Sequence, residues 1–252
     1  AIPQDGQKGA MEHAGRTGGL PFVGVGWYRT EFDVPQFQAG KRATILFDGA
    51  MSHANVYING QKVGYWPYGY NSFHFDITKY LKPGEKNTLA VRLENLPESS
   101  RWYPGAGLYR NVHLITTEDA YIPVWGTYIT TPSVNEKFAK VNVRTKVVLP
   151  EGADPAKYSV ETSVWNPNKQ KLTAVRTSLA QMKYNNNQAE QEFVIQAPSL
   201  WSPEMPALYS AETRLYEGDK LKDIYTSPFG IRSIEIIPDK GFFLNGKRTV
   251  FK

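Results

Sequence analysis

Turn-forming residues interrupt this chain about every 8–12 positions, and between them no apolar pattern keeps a 3.6-residue period long enough for a helix. The strongest of these signals is Asn59-Gly60. It separates His53–Ile58 from Gln61–Trp66, two runs rich in aromatic and β-branched residues. A two-residue type I′ turn needs positive φ at both positions, which asparagine and glycine tolerate best, so the pair predicts a β-hairpin. The runs Trp27–Val34, Arg42–Asp48, Ser72–Asp76, Thr88–Leu93 and Asn111–Ile115 read as further strands. Thr78 is placed to cap one helical turn at Lys79–Leu81, which Pro83-Gly84 would end. Many short strands with frequent turns pack only as a sandwich or barrel, so the fold class is all-β.

A second β block follows from Asp119. Its predicted strands are Tyr121–Thr130, Ala139–Leu149, Lys157–Trp165, Leu172–Leu179, Ala189–Ile195, Leu208–Tyr216 and Leu221–Ser227. Pro150–Pro155, Asn166–Gln170 and the polar stretch Pro132–Lys137 read as connections. This strand density fits an immunoglobulin-like sandwich in architecture, without the disulfide of antibody domains. Gly241–Lys252 is another hairpin, with Asn245-Gly246 at its tip. Residues 231–252 are too few to bury a core. They are either an appendage of the second block or the opening of a third domain. VYINGQKV and FFLNGKRTV share turn chemistry and are not a repeat.

Composition removes several function classes. The 252 residues hold no cysteine, which excludes disulfides, thiolate metal sites and a cysteine nucleophile but leaves the compartment open. No apolar run approaches the length of a membrane span. Ala1–Leu20 contains five glycines and is not a signal peptide as it stands; a removed signal stays open. The net charge of +5 invites a nucleic-acid reading, but residues 231–252 alone carry five basic and two acidic groups. No basic stripe runs along the rest, so no nucleic-acid partner is expected.

Catalytic signals are sparse. His13, His53, His74 and His113 lack the spacing of a metal site, and no catalytic triad order, nucleophile elbow or phosphate loop stands out. Gly105-Ala106-Gly107 reads as turn glycines. Glu94, Glu98, Glu118 and Glu161 are isolated acids. The informative stretch is Ser99–Arg110, which gathers two serines, two arginines, a tryptophan and two tyrosines. Ring faces stack on sugar C–H faces while arginines and hydroxyls bond sugar hydroxyls. The alternative is structural, with Trp102 and Tyr103 in a core and Tyr109 and Arg110 bracing the sandwich. Trp66, Tyr68, Tyr70 and Asn71 form a second aromatic group, read as loop packing, or otherwise as a glycan platform or interdomain contact.

GWYRTEFDV at 26–34, NVYINGQKVGYWPYGYNSFHFDIT at 55–78, SSRWYPGAGLYRNVHL at 99–114, LWSPEMPALY at 200–209, and FGIRSIEI with GFFLNGKRTVFK at 229–252 occur in one order. Together they resemble the non-catalytic front of glycoside hydrolase family 2, the family of β-galactosidases, β-glucuronidases and β-mannosidases. The resemblance implies a jelly-roll sugar-binding domain at 1–118, trimmed at its front. An immunoglobulin-like β-sandwich follows at 119–230, and 231–252 is the first hairpin of a truncated (β/α)₈ barrel. It implies the front of a retaining exo-β-glycosidase, β-galactosidase-like, whose catalytic glutamates lie in the barrel, so this piece is expected to be inactive. Asn135-Glu136 repeats the family's acid/base dipeptide in the wrong setting, a link between sandwich strands. The resemblance makes Ser99, Ser100, Arg101 and Trp102 the substrate-rim candidates. Some β-galactosidases carry an acid there, so Ser99-Ser100-Arg101 is a departure that bears on sugar choice. The implied partner is carbohydrate, with no cofactor beyond a structural calcium or similar cation. The expected parent is an exported bacterial protein with room for homo-oligomers. A stand-alone carbohydrate-binding module and an assembly or adhesion sandwich are the alternatives.

Overall fold

The structure, a computed structural model, describes residues 24–34, 40–95, 106–181 and 188–250. Two compact units divide the chain, Ala1–Thr117 and Glu118–Lys252. Both are built from antiparallel strands, as their turn-punctuated sequences require. No helix among the described residues is long and apolar enough to cross a membrane.

In the first unit β1 (Gly24–Asp33), β6 (Lys86–Asn95), β3 (Ala54–Ile58) and β4 (Gln61–Trp66) form one sheet in that order. The second sheet has the order β5 (Phe73–Asp76), β2 (Arg42–Phe47), β7 (Val112–Thr117). Alternation along β3 and β6 turns Val56, Ile58, Leu89, Val91 and Leu93 inward, where they meet Ile45, Phe47 and Phe73 from the other sheet. Each fully buried side chain of this kind stabilises by roughly 1.5–3 kcal/mol. Asn59 and Gly60 both have positive φ, at 51° and 80°, as the hairpin requires. Gly64 lets β4 lie against the Phe75 ring, where a Cβ would collide.

Thr78 is not a cap. It lies inside the single 3₁₀ turn Thr78–Tyr80, and the Asp76 Oδ1 accepts from its amide at 2.9 Å. The Thr78 hydroxyl instead accepts from the Ala43 amide at 3.0 Å, tying the turn to β2. Asn87 is fully buried beside it and fully hydrogen-bonded.

The second unit has a four-stranded sheet, β11 (Lys171–Ser178), β10 (Tyr158–Trp165), β13 (Tyr209–Glu217), β14 (Lys220–Phe229). Facing it is a three-stranded sheet, β12 (Gln188–Gln196), β9 (Phe138–Lys146), β8 (Thr127–Val134). Val141, Val143, Phe193 and Ile195 from the latter pack on Val164, Tyr209 and Ala211 from the former. The all-β reading, a jelly-roll-type sandwich and then an immunoglobulin-like one, holds. Two local differences have clear causes. The strand expected from Tyr121 starts only at Thr127, because Pro123 offers no N–H and Gly126 closes a turn back to its carbonyl at 2.7 Å. Conversely, β8 runs on through Pro132, where the register shifts between Thr130 and Ser133 on an edge strand.

After Phe229, β15 (Ile234–Ile237), β16 (Gly241–Leu244) and β17 (Lys247–Arg248) make a separate three-stranded sheet. The Asn245-Gly246 turn joins β16 to β17 with φ of 50° and 74°. Residues 234–237 are a strand the sequence pattern did not suggest, since IEII alternates only once.

Candidate functional site

Ser99, Ser100, Arg101 and Trp102 lie outside the described residues, as do His13, Glu98, Tyr103 and Gly105. Described residues flank this stretch on both sides. Asn95 ends β6, and Gly107 resumes the chain by pairing with Met51 through two backbone hydrogen bonds of 3.0 Å. Both flanks sit at one end of the first sandwich, with Gly24 opposite Asn95 and Val112 opposite Phe47.

That end is braced by short-range packing. The Ser52 hydroxyl donates to the Glu94 carbonyl at 2.9 Å, and the Glu94 amide donates to the Ser52 carbonyl at 2.9 Å. Gly107 holds φ of 93°, and a Cβ there would run into the Tyr28 hydroxyl. The Tyr109 hydroxyl donates to the Gly69 carbonyl at 2.8 Å. The Arg110 guanidinium lies over the Tyr109 ring at 5.2 Å and donates to the Asp48 carbonyl at 3.3 Å. Tyr109 and Arg110 therefore brace the loops. Of the second aromatic group, Trp66 belongs to β4 and stacks on Phe73 at 5.6 Å. Tyr68 and Tyr70 meet edge to face at 5.6 Å, with Tyr68 about half exposed.

The titratable groups here are already engaged. Glu94 pairs with Arg92 at 3.1 Å, and Asp48 with His113 at 3.0 Å. His53 shares a 2.7 Å hydrogen bond with the Tyr65 hydroxyl. Partial burial pushes the His74 imidazole below its ordinary value. Among the described residues no group of three or more His, Cys, Asp or Glu could hold a metal. Asn135 turns the β8–β9 connection, its Oδ1 accepting from the Lys137 and Phe138 amides at 2.8 and 2.9 Å. Glu136 stands exposed in that turn between two sandwich strands.

A cluster of shifted titratable groups lies in the second unit, at positions no sequence motif marks. The Lys222 ammonium, its side chain 8 % exposed, sits between Asp119 at 2.8 Å and Glu217 at 3.6 Å. The hydrogen bond to Asp119 raises Lys222 and, in return, lowers Asp119. Tyr158 donates to Glu217 at 3.3 Å and is pushed up mainly by burial. Burial likewise raises Asp223, whose oxygens accept from the Ile122 and Ile224 amides. Lys222 and Asp119 stay charged around neutral pH while Tyr158 keeps its proton, and the Lys222–Asp119 and Asp223–Ile122 contacts lace the segment 119–122 to β14. They form a structural lock and not an acid/base pair.

The fold and the described surface thus define a pair of β-sandwiches offering ring faces, hydroxyls and paired charges, which is binding chemistry. Comparison with known proteins agrees. The sugar binding domain model of glycosyl hydrolases family 2 matches residues 21–118, and the main glycosyl hydrolases family 2 model matches residues 121–232. The chain belongs to glycosyl hydrolases family 2. A β-galactosidase of Bacteroides ovatus is 40 % identical over 243 residues, covering 95 % of this chain and 28 % of its own length. A putative β-glucuronidase of Formosa agariphila is 37 % identical over 94 % of this chain and 22 % of its own length. The crystal structure of a β-glycosidase from Bacteroides vulgatus superposes with a TM-score of 0.80 at 31 % identity, covering 93 % of this chain and 29 % of that one. The chain thus spans under a third of each of these relatives.

Proposed function

We propose that this chain is the substrate-framing front of a retaining exo-β-glycosidase that removes terminal β-linked sugars, and that the bond-breaking glutamates lie in polypeptide beyond Lys252. One observation carries the reading. Two family 2 models match in family order along the chain, while the chain covers only 28 % of the B. ovatus β-galactosidase. The described carboxylates at the sandwich end support it, since Glu94 is held by Arg92 and Asp48 by His113. In this reading Ser99, Ser100, Arg101 and Trp102 line the sugar rim, and the sheet of β15–β17 opens the catalytic barrel. The relatives divide between β-galactosidases and β-glucuronidases, so the sugar is decided by assay. Purified residues 1–252, and a longer polypeptide continuing past Lys252, are incubated with nitrophenyl β-galactoside, β-glucuronide and β-mannoside. Turnover is expected from the longer protein alone. Turnover by residues 1–252 that disappears on Glu136→Gln or Glu94→Gln would overturn the assignment, and so would a longer protein inert on all three substrates.

A further inference from the structure

The outer face of the β1-β6-β3-β4 sheet carries aromatic rings where a simple sandwich would carry solvated polar groups. Register places Trp27, Arg92, Asn55 and Tyr65 in one row across the four strands. Their neighbours along each strand, Val91, Leu93 and Val56, are buried in the core, so this row faces outward. Trp27 is 60 % exposed and Tyr65 46 %. In the next row Ala90 separates Arg29 from Tyr57. That small side chain lets the Trp27 and Tyr57 rings meet across β6, with centroids 5.6 Å apart and planes tilted by 36°. The row spans three interstrand steps, about 14 Å, enough for several sugar rings.

The polar groups between the rings are held in place before any ligand arrives. Arg92 is fixed by Glu94 at 3.1 Å, and the Tyr65 hydroxyl by His53 at 2.7 Å. A surface whose rings and donors are already ordered loses less entropy on binding. Arg29, Lys62, Lys86 and Arg92 on this face stand against Glu31, Asp33 and Glu94, a net of +1, too weak a positive field to select a polyanion. Open rings interleaved with neutral or internally paired hydrogen-bonding groups suit a neutral polyhydroxylated chain with alternating C–H and hydroxyl faces. A protein interface would instead need a contiguous apolar core, and here Arg92 and Asn55 interrupt the rings.

We propose that this face is a second carbohydrate site, a platform of Trp27, Tyr57 and Tyr65 on which a neutral β-linked polysaccharide lies, built from other residues than the candidate rim Ser99–Trp102. The proposal rests on reading the first domain as sugar-facing, but it assigns different residues and a polymer in place of a terminal sugar. The platform would keep the enzyme on its polymer while chain ends are trimmed elsewhere.

Affinity electrophoresis of residues 1–252 through gels containing soluble β-1,4-galactan, hydroxyethyl cellulose or polygalacturonate tests it. Retardation by a neutral polymer is expected, weakened at least tenfold in Trp27→Ala and in Tyr65→Ala. Trp125→Ala, which removes an equally exposed tryptophan from the other unit, should leave it unchanged. Thermal melts of each variant establish folding, and Tyr65→Ala decides the matter if Trp27→Ala does not fold. No retardation of the parent chain, retardation by polygalacturonate alone, or equal loss in Trp125→Ala would overturn the platform. Nitrophenyl glycoside turnover by the longer protein reports the glycosidase reading independently, so either can fail while the other stands.

Discussion

Asn87→Ala should be among the most damaging single substitutions in the first domain. The side chain is fully buried, and all of its hydrogen-bonding capacity is used. Its Oδ1 accepts from Asn59 Nδ2 and from the Lys82 amide, both at 2.8 Å. Its Nδ2 donates to the Lys82 carbonyl at 3.0 Å and to the Glu85 carbonyl at 2.9 Å. Alanine removes four hydrogen bonds at once and strands the groups that made them. A net loss of about 1 kcal/mol per bond gives about 4 kcal/mol, and stranded buried groups cost more. Residues 82–85 are exposed, so water can reach some of these groups and holds the total to roughly 3–5 kcal/mol. Against a typical stability of about 5–15 kcal/mol, that leaves the domain marginal. Melting should fall by at least roughly 12 °C, taking about 4 °C per kcal/mol for a domain of this size. Urea unfolding followed by circular dichroism measures the free energy directly. Asn87→Asp is the companion variant. It keeps both acceptor bonds but turns a carboxylate oxygen toward two carbonyls, so its deficit should shrink as pH is lowered and the acid becomes a donor. A cost under about 1 kcal/mol for Asn87→Ala would show that water replaces the side chain, and would refute the account of the Asn59–Asn87 network.

Lys222→Met should cost about 1–3 kcal/mol at neutral pH, less than the full cost of breaking a buried pair because Asp119 and Glu217 are each 40 % exposed and can rehydrate. Asp119 is depressed by Lys222, so its share of stability is present above the ordinary carboxylate range and lost as pH falls through the depressed value. Lys222 is raised, so its share is lost as pH climbs through the raised value. Stability curves of parent and variant should therefore converge at both pH extremes, and a gap independent of pH would contradict the ion lock. Gly107→Ala forces a side chain into left-handed backbone and onto the Tyr28 hydroxyl, for an expected loss of about 1–3 kcal/mol. Hydrogen exchange at the Met51 and Gly107 amides should speed up; unchanged exchange and melting would mean that Tyr28 simply swings away.

What could be read from the sequence was whatever depends on near neighbours. Period-two patterning exposed most strands, because in β3 and β6 each inward residue is separated from the next by one position. Glycine after asparagine marked both hairpin tips. The misses share a cause in pairing that is distant along the chain. Thr78 had the composition of a cap, but Ala43, 35 residues away, takes its hydroxyl. Lys222 looked like an ordinary strand lysine until the fold brought Asp119 and Glu217 to it. Trp27 and Tyr57 become neighbours only because β6 is inserted between β1 and β3. Ser99–Trp102 lie outside the described residues, and only Asn95 and Gly107 on either side of that stretch are placed by long-range pairing.

The two Asn-Gly tips show why similar segments need not be repeats. Shared turn chemistry explains glycine at Gly60 and Gly246, but not why asparagine precedes it, since aspartate and glycine also tolerate positive φ. The structure supplies a second demand. The Asn59 amide donates to the Thr88 carbonyl while its Oδ1 accepts from the Thr88 amide, at 2.9 Å each way. Asn245 does the same with Ser233, at 3.0 Å each way. In both, Nδ2 reaches a further carbonyl, that of Tyr80 or Trp201. The side chain imitates one more rung of a ladder and docks the tip on a third segment. That role needs an acceptor and a donor on one short side chain. Aspartate lacks the donor and glycine lacks both. The likeness of VYINGQKV to FFLNGKRTV is thus imposed twice by the same local physics, in two units with separate cores, and needs no common origin.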